Sequence, residues 1–500
     1  MHAADTLLAL LDTAAARNAE LIYLGQAPVT WAEVRQRSLA FAGLLQAAGC
    51  PAGARILLGL PPGADFLVAF FGAMAAGALP LGVATHIGQR PWTDHPEQLQ
   101  AYEDAFAPWA WVATAAVTDP GRRWWTPAAW VGHPAGTPVP CHAGDVAFLG
   151  LTSGTGGEPK AVMIEHGLTV RSYGRLIERL QLTPASRLLT WIPYHHASGL
   201  TASLMAMAAG AAVIGLSPAA IMSDVPALFR ALAEHRATHS FVPSFLLKAA
   251  LQVGAGAFGT LDLSAVRSLQ LGGERIDPAA VVAFEAMMAL HGLAPGSITP
   301  AYGMIEATAI ALAAPGRSHP ADRIMAAGMA ETRRAEPDPA GDLYVAAIGA
   351  PLDGVEVRIM ADGRLAGDRE LGEIEARGAS VGRAYWGNPA ATAARWQDGW
   401  LHTGDLGYLA DGRLYVCGRM TDVINIAARK YSAEDIESAL AKVPEIATAP
   451  MAAVGLPDAG LGTEALAVGI GVVGPMAQDA VVRAIQQALR GRVGLLAAPL

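Results

Sequence analysis

Three hydroxyl side chains, three glycines and one lysine fall within nine residues, Thr152-Ser153-Gly154-Thr155-Gly156-Gly157-Glu158-Pro159-Lys160. Such a loop can turn backbone N–H groups and side-chain donors toward an anion. Lys160 adds a compact positive charge at its exit. The spacing is not Gly-x-x-x-x-Gly-Lys-Ser/Thr, and no helical pattern follows the lysine. A plain glycine-rich hairpin has the same composition, so the loop by itself leaves both readings open. Apolar runs on either side, Val146–Leu151 and Ala161–Ile164, read as buried strands that would hold its two ends.

The chain that must position this loop has 500 residues, 52% of them apolar. That length exceeds one ordinary core and predicts two or more domains. A formal net charge of −9, with no Lys/Arg run, argues against a nucleic-acid surface. Cys50, Cys141 and Cys417 are widely spaced and odd in number. They form no zinc spacing or disulfide framework, which fits a reducing cytoplasm. The N-terminus lacks the basic-then-apolar order of a signal peptide. Ser198–Ser223 carries no charge and is long enough to span a bilayer. It contains Gly210 and Ser217-Pro218, however, and reads better as a buried helix, Thr201–Ala209, followed by a buried strand, Ala211–Leu216. No membrane partner is expected.

Strand–helix–strand alternation recurs along the chain. Thr30 opens a helix with Glu33 at the capping-box position, and the helix stops near Gly49. Arg55–Leu60 is a strand, Ala64–Ala76 a helix and Leu79–Val83 a strand. The pattern returns in strands Arg187–Ile192, His239–Phe241 and Ser268–Leu271, interleaved with helices Val225–Glu234 and Ser244–Leu251. This predicts an α/β fold of mostly parallel, helix-covered sheets. Ala313–Ala346 is polar, rich in Pro and Arg, and reads as an irregular loop or insertion. From Gly354 short strands with Asp-Gly turns predict a small antiparallel sheet. Helix Ser432–Leu440, strands Val454–Leu456 and Ala465–Val473, and helix Gln478–Leu489 predict a compact, mobile α+β unit at the C-terminus. The expected division is 1–419 and 420–500.

Six motifs, in order along the chain, resemble those of the adenylate-forming (AMP-binding) acyl ligases, closest in pattern to acyl-CoA synthetases and fatty-acyl-AMP ligases. Thr152 to Lys160 resembles the family's phosphate loop. Trp191-Ile-Pro-Tyr-His195-His196-Ala-Ser-Gly199 is similar to its substrate-side histidine motif. Leu271-Gly272-Gly273-Glu274 resembles its adenine-flanking strand, and Pro300-Ala301-Tyr302-Gly303-Met304-Ile305-Glu306 its Tyr-Gly-x-x-Glu motif. Trp400-Leu-His-Thr-Gly-Asp405 resembles its ribose motif. Gly418-Arg419 with Asp422 resembles its hinge, and Glu434-Asp-Ile-Glu437 the helix that follows.

The resemblance implies binding of ATP or of the AMP moiety of an acyl-AMP, with Mg²⁺, by Thr152, Ser153, Gly154, Thr155, Gly272, Gly273, Glu274, Ala301, Tyr302, Gly303, Met304, Asp405, Arg419 and Lys430. It implies catalytic roles for Lys160, His196, Glu306 and Arg419, and an acyl pocket at His195, His196, Phe241, Ser244 and Met304. The residue chemistry agrees. Tyr302 is an aromatic face for adenine, and Glu306 a hard oxygen ligand suited to Mg²⁺. Asp405 can accept ribose hydroxyls. Arg419 can pair with phosphate at the junction where the small unit would swing. Taken singly, each has a plainer reading: a core tyrosine, a surface glutamate, a turn aspartate, and for His196 a core histidine.

The sequence also departs from the family. Gly156 stands in place of a second hydroxyl, and Ala161 in place of a glycine after the lysine. Ile305 replaces a Thr found in many members, and Ala428 a glycine on the loop that serves thioester formation. No lysine follows Lys442, so the family's C-terminal Pro-x-x-x-x-Gly-Lys segment is not in this sequence. Either the sequence is a piece of a longer chain or this charge-neutralising group is lacking, which would slow adenylation. The expected activity is activation of an apolar carboxylic acid as an acyl-adenylate and its transfer to a thiol, CoA or pantetheine. A specialisation for the thioester-forming half, from preformed acyl-AMP, fits these departures. The alternatives are an acyl-AMP ligase handing its product to an acyl carrier protein, and a non-catalytic acyl-nucleotide binder. Small apolar residues around the pocket favour a bulky or long acid.

Overall fold

The computed structural model describes residues 5–17, 19–87, 90–117, 119, 121–152, 159–317, 319–341, 343–426, 429–441, 443–444, 446, 449–458, 463–471, 482–483, 485–486 and 488–489. Its architecture is two-domain α/β: a large body of three sheets and their helices, and a smaller C-terminal unit with its own apolar core.

The first sheet is parallel through strands Glu20–Tyr23, Ala212–Gly215, Arg187–Thr190, His239–Phe241, Ser268–Leu271 and Ile298–Met304, side by side in that order. Ala307–Leu312 adds antiparallel to Ile298–Met304. The second sheet places Leu79–Gly82, Arg55–Gly59 and Ala110–Ala113 in parallel. Val146–Leu151 joins it in parallel, and Ala161–Glu165 folds back on Val146–Leu151 as a hairpin. Near-continuous apolar strands of this kind are stable only when both faces are covered. Helix Ala64–Ala75 does part of this, with 11 of its 12 residues buried. Each fully buried Leu or Phe there contributes roughly 1.5–3 kcal/mol.

The capping box at Thr30 and Glu33 is formed, and the helix it opens runs Trp31–Ala47. The uncharged stretch 198–223 divides into helix Ala197–Ala209, strand Ala212–Gly215 and helix Pro218–Ser223. No described helix is long and apolar enough to cross a membrane.

The third sheet is antiparallel and runs Ala321–Ile324, Leu343–Gly349, Arg413–Arg419, Trp400–Ala410, Gly372–Gly378, Val355–Ala361 and Arg364–Leu365, with Trp396–Gln397 on Trp400–Ala410. Here the structure corrects the expectation of an irregular Ala313–Ala346. That segment holds strand Ala321–Ile324, helix Ala326–Thr332 and the start of Leu343–Gly349. The strand is too short and polar to show a period. It is fixed by pairing with Leu343–Ala346 and by Asp322, whose Oδ2 accepts from Arg369 at 2.5 Å and Tyr408 at 2.8 Å.

In the C-terminal unit, hairpins Val423–Ile426/Arg429–Ser432 and Met451–Asp458/Thr463–Ile470 pack with helix Ala433–Leu440 around Ile424, Tyr431, Ile436 and Leu440. Val482, Arg483, Ile485, Gln486, Ala488 and Leu489 of the expected last helix are helical; the rest of it lies outside the described residues.

Candidate active site

Several of the residues expected at the nucleotide lie at the C-terminal ends of the first sheet's parallel strands, where the third sheet meets them. Tyr302 is near the end of Ile298–Met304, and its hydroxyl donates to Asp405 Oδ2 at 2.6 Å. Asp405 lies in Trp400–Ala410, directly across the ladder from Arg419, whose Nε is 3.7 Å from Asp405 Oδ1. Two residues far apart in sequence are thus joined by one aspartate.

The backbone around Asp405 is held from both sides. The Thr403 hydroxyl donates to the Ile374 carbonyl at 2.6 Å and accepts from the Asp405 N–H at 3.1 Å. Gly404, at φ +69°, donates its N–H to Glu373 Oε1 at 3.0 Å. A side chain there would be strained by that φ, which favours glycine at this point of the strand. His402 Nδ1 lies 3.3 Å from both Glu373 Oε2 and Glu375 Oε1. Glu375 is in turn paired with Arg358, which lies over the Trp400 ring.

Burial raises the Asp405 carboxyl above its ordinary range, and the Tyr302 hydroxyl, Arg419 and Arg395 pull it part of the way back. The Tyr302 phenol is pushed up by burial and by the Asp405 charge, so it stays a neutral donor.

Glu306 is 6% exposed, and such burial is rare for a carboxylate without partners. Tyr385 donates to its Oε1 at 2.6 Å, and Arg395 Nε lies 4.0 Å from the same oxygen. The Arg395 Nε is buried without a hydrogen-bond partner among the described residues, while its Nη2 contacts Met304 Sδ at 3.8 Å. A buried carboxylate with a guanidinium at this distance suits a site that receives a cation and phosphate oxygens together, so Glu306 fits the Mg²⁺ implied by the sequence.

In the segment expected to flank adenine, a Cβ at Gly272 would lie 2.4 Å from the Ala301 carbonyl oxygen, so only glycine allows this close approach. Glu274 is exposed, and its Oε1 accepts the Phe245 N–H at 3.1 Å. Gly273 and Gly303 are exposed beside these strands.

The expected pocket residues are partly brought together. An apolar cleft is lined by Gly150, Tyr173, Tyr194, His195, Met304 and Ile305, among others. His195 is held down to about 4, and so neutral, by burial and by His196, whose ring lies 4.3 Å away. His196 is exposed at the start of helix Ala197–Ala209 and does not line the cleft. Neither do Phe241 and Ser244. Phe241 stands beside Gly273. The Ser244 hydroxyl is spent on the Arg275 carbonyl at 3.1 Å. The helix that carries Ser244 turns its buried side to the core rather than to the cleft.

Thr152 and Lys160 close the neck of the hydroxyl-rich loop, Thr152 N–H to Lys160 carbonyl at 3.0 Å, with the Lys160 side chain exposed. Ser153, Gly154 and Thr155 lie outside the described residues, as do Gly156, Ala428 and the side chain of Lys430.

Three residues of the site were missed from sequence: Glu373, Tyr385 and Arg395. Arg395 ends helix Pro389–Arg395, which Asn388 caps through the Ala391 N–H at 2.9 Å. An Asn-Pro start and a basic last residue read as ordinary helix punctuation, so nothing local marked the arginine as a site group.

The AMP-binding enzyme family profile matches residues 11–92 and 91–386. The chain is 29% identical over 482 residues to the long-chain-fatty-acid–AMP ligase FadD32 of Mycolicibacterium smegmatis, covering 86% of this chain and 74% of that one. It is 28% identical over 474 residues to a 4-hydroxyphenylalkanoate adenylyltransferase of Mycobacterium tuberculosis, again covering 86% and 74%. Among solved structures, it matches one from a study of fatty acyl-adenylate ligases of E. coli and L. pneumophila with a TM-score of 0.88. That match covers 99% of this chain and 93% of the other, and at 24% identity it speaks to the fold. Because the family profile runs through well over half of the sequence, ending beside the Tyr385 that holds Glu306, the chain belongs to the AMP-binding enzyme family and is an adenylate-forming acyl ligase.

Proposed function

We propose that the chain activates an apolar carboxylic acid with ATP and passes the acyl group from the adenylate to the pantetheine thiol of a carrier protein. A carboxylate oxygen attacks the α-phosphorus, the bond to the β-phosphate breaks, and pyrophosphate leaves. The thiol then adds at the acyl carbonyl and AMP departs. Tyr302 offers its ring to adenine, and Asp405 accepts from ribose. Arg419 and Arg395 face phosphate oxygens, Lys160 acts from the exit of the hydroxyl-rich loop, and His196 acts from outside the cleft, beside the ring of His195. Mg²⁺ at Glu306 would neutralise charge as pyrophosphate forms. The unit 420–500 rotates about Arg419 between the two half-reactions.

The observation that carries the adenylation step is the convergence of Tyr302, Asp405 and Arg419 beside the buried Glu306. A carrier protein is favoured over CoA as the acceptor by the relatives, which are named as AMP ligases and adenylyltransferases. Free CoA is the second reading, and the sequence motifs support it equally.

The test supplies ATP, Mg²⁺ and a panel of acids, follows acyl-AMP by mass spectrometry, then adds CoA or a phosphopantetheinylated carrier. Acyl-AMP that discharges onto the carrier and spares CoA supports the proposal. Rapid acyl-CoA formation would replace the carrier with CoA.

A further inference from the structure

We propose that the acyl cleft is built for a short acid, of about two to four carbons, and that Ile305 sets this limit. The inference rests on the acyl-activating reading above and deepens it by naming the substrate class.

The cleft lies between the paired strands Val146–Leu151 and Ala161–Glu165, helices His166–Leu180 and Ala197–Ala209, and residues Met304, Ile305 and Thr308. Its lining is mostly apolar, but the cleft is small, which runs against the bulky or long acid expected from the sequence. It encloses only about 30 Å³ of free space. A single water needs roughly 10–15 Å³ on this scale, so two or three small groups fill it.

Two features close it. Ile305 reaches across the cleft to the backbone of Gly150, where an added Cβ would lie 2.5 Å from Ile305 Cδ1 and 2.7 Å from Cγ1. The isoleucine therefore occupies the space beside a glycine that an acyl chain would need.

Tyr194 forms a second wall. Its hydroxyl bonds the Tyr23 hydroxyl at 2.5 Å and the Ser203 hydroxyl at 2.7 Å, and all three residues are buried. Displacing Tyr194 would break two buried hydrogen bonds, one to Tyr23 and one to Ser203. Nor can Tyr23 withdraw, because its ring packs on the backbone of Gly215, where a Cβ would lie 2.1 Å from Tyr23 Cδ1. Phe66 supports Tyr194 edge-on at 5.1 Å between ring centres, and Phe70 supports Phe148 at 5.2 Å. Interiors packed in this way do not open by one side chain at a time.

The closing experiment measures affinity, so it does not require turnover. Acyl-sulfamoyl-adenosines from acetyl to dodecanoyl are titrated calorimetrically into the full chain and into Ile305→Ala. Pyrophosphate release from the matching free acids is followed in parallel. The wild-type chain should bind the acetyl and propionyl analogues and lose about tenfold or more in affinity by hexanoyl. In Ile305→Ala the break should move outward by about three carbons, the number removed from the side chain. A dodecanoyl analogue bound as tightly as propionyl by the wild type would overturn the inference, as would a break that does not move in the variant. If long acids alone are adenylated, the ligase reading stands and this inference falls. If no analogue of any length binds and no acid releases pyrophosphate, both fall.

Discussion

The Tyr302 hydroxyl donates to Asp405 Oδ2 at 2.6 Å, tying the end of a parallel strand to the antiparallel sheet 103 residues later. The same aspartate faces Arg419 through its other oxygen. The expected adenine platform and the expected ribose acceptor are therefore one hydrogen-bonded unit. Changing either should be felt at the other.

Replacing Asp405 by Asn should separate stability from function. The folded-state carboxyl value is raised above the unfolded value of about 3.9. The folded chain thus binds more protons in this window. The group's contribution to stability is complete below the unfolded value and is lost as pH rises through the folded one. Asp405→Asn keeps an acceptor for Tyr302 and removes the ionisation. Its Tm should exceed the wild type's at pH 7, the gap should shrink toward pH 3, and AMP binding should be lost. Thermal melts at both pH values, with a nucleotide titration, check this.

Tyr302→Phe and Tyr302→Ala divide the roles of one side chain. The phenylalanine keeps a face for adenine and loses the bond to Asp405, costing about 1 kcal/mol of stability. The alanine loses the face as well. AMP affinity should fall by about tenfold or more in the alanine variant, since stacking on a base is worth roughly 1–3 kcal/mol, and by less in the phenylalanine variant. Calorimetric titration of AMP into both variants measures the difference.

Glu306→Gln should slow acyl-AMP formation by at least about tenfold, equivalent to 1.4 kcal/mol, and shift the Mg²⁺ optimum upward. Tyr385→Phe leaves Glu306 buried but short of its 2.6 Å donor. It should raise the Mg²⁺ requirement less and lower stability by about 1–3 kcal/mol. Initial rates across a Mg²⁺ series, with thermal melts of each variant, provide the check.

Arg395→Gln tests a residue that no motif announced. Its Nε is buried with no partner among the described residues, and the guanidinium lies between Glu306 and Gly404. A charge-assisted bond to a phosphate oxygen is worth about 1.5–3 kcal/mol, so the KM for ATP should rise about tenfold or more. The melting temperature should change little, because 28% of the side chain is exposed and its ion pair is long. Steady-state kinetics against ATP measure it.

What the sequence revealed and what it hid follow from the range of each interaction. The buried strands Arg55–Gly59 and Ser268–Leu271 were legible from their apolar runs, and helix Trp31–Ala47 from its capping box, because those signals are local. Tyr302, Glu306 and Asp405 were legible from ordered motifs. Ala321–Ile324 was not, since its register comes from Leu343–Ala346 and from Asp322 meeting Arg369 and Tyr408. Tyr385 and Arg395 reach Glu306 across 79 and 89 residues, and no spacing along the chain encodes such a meeting. Ser244 was placed in the pocket by the family resemblance, whereas its hydroxyl is committed to the Arg275 carbonyl.

The most direct test is acid-dependent ATP–pyrophosphate exchange, with acyl-AMP identified by mass in the same reaction. The adenylation mechanism requires exchange that begins only when a suitable acid is added and that is lost in Asp405→Asn and Glu306→Gln. Tight AMP binding with no exchange for any acid would contradict it and leave a nucleotide-binding chain that activates nothing.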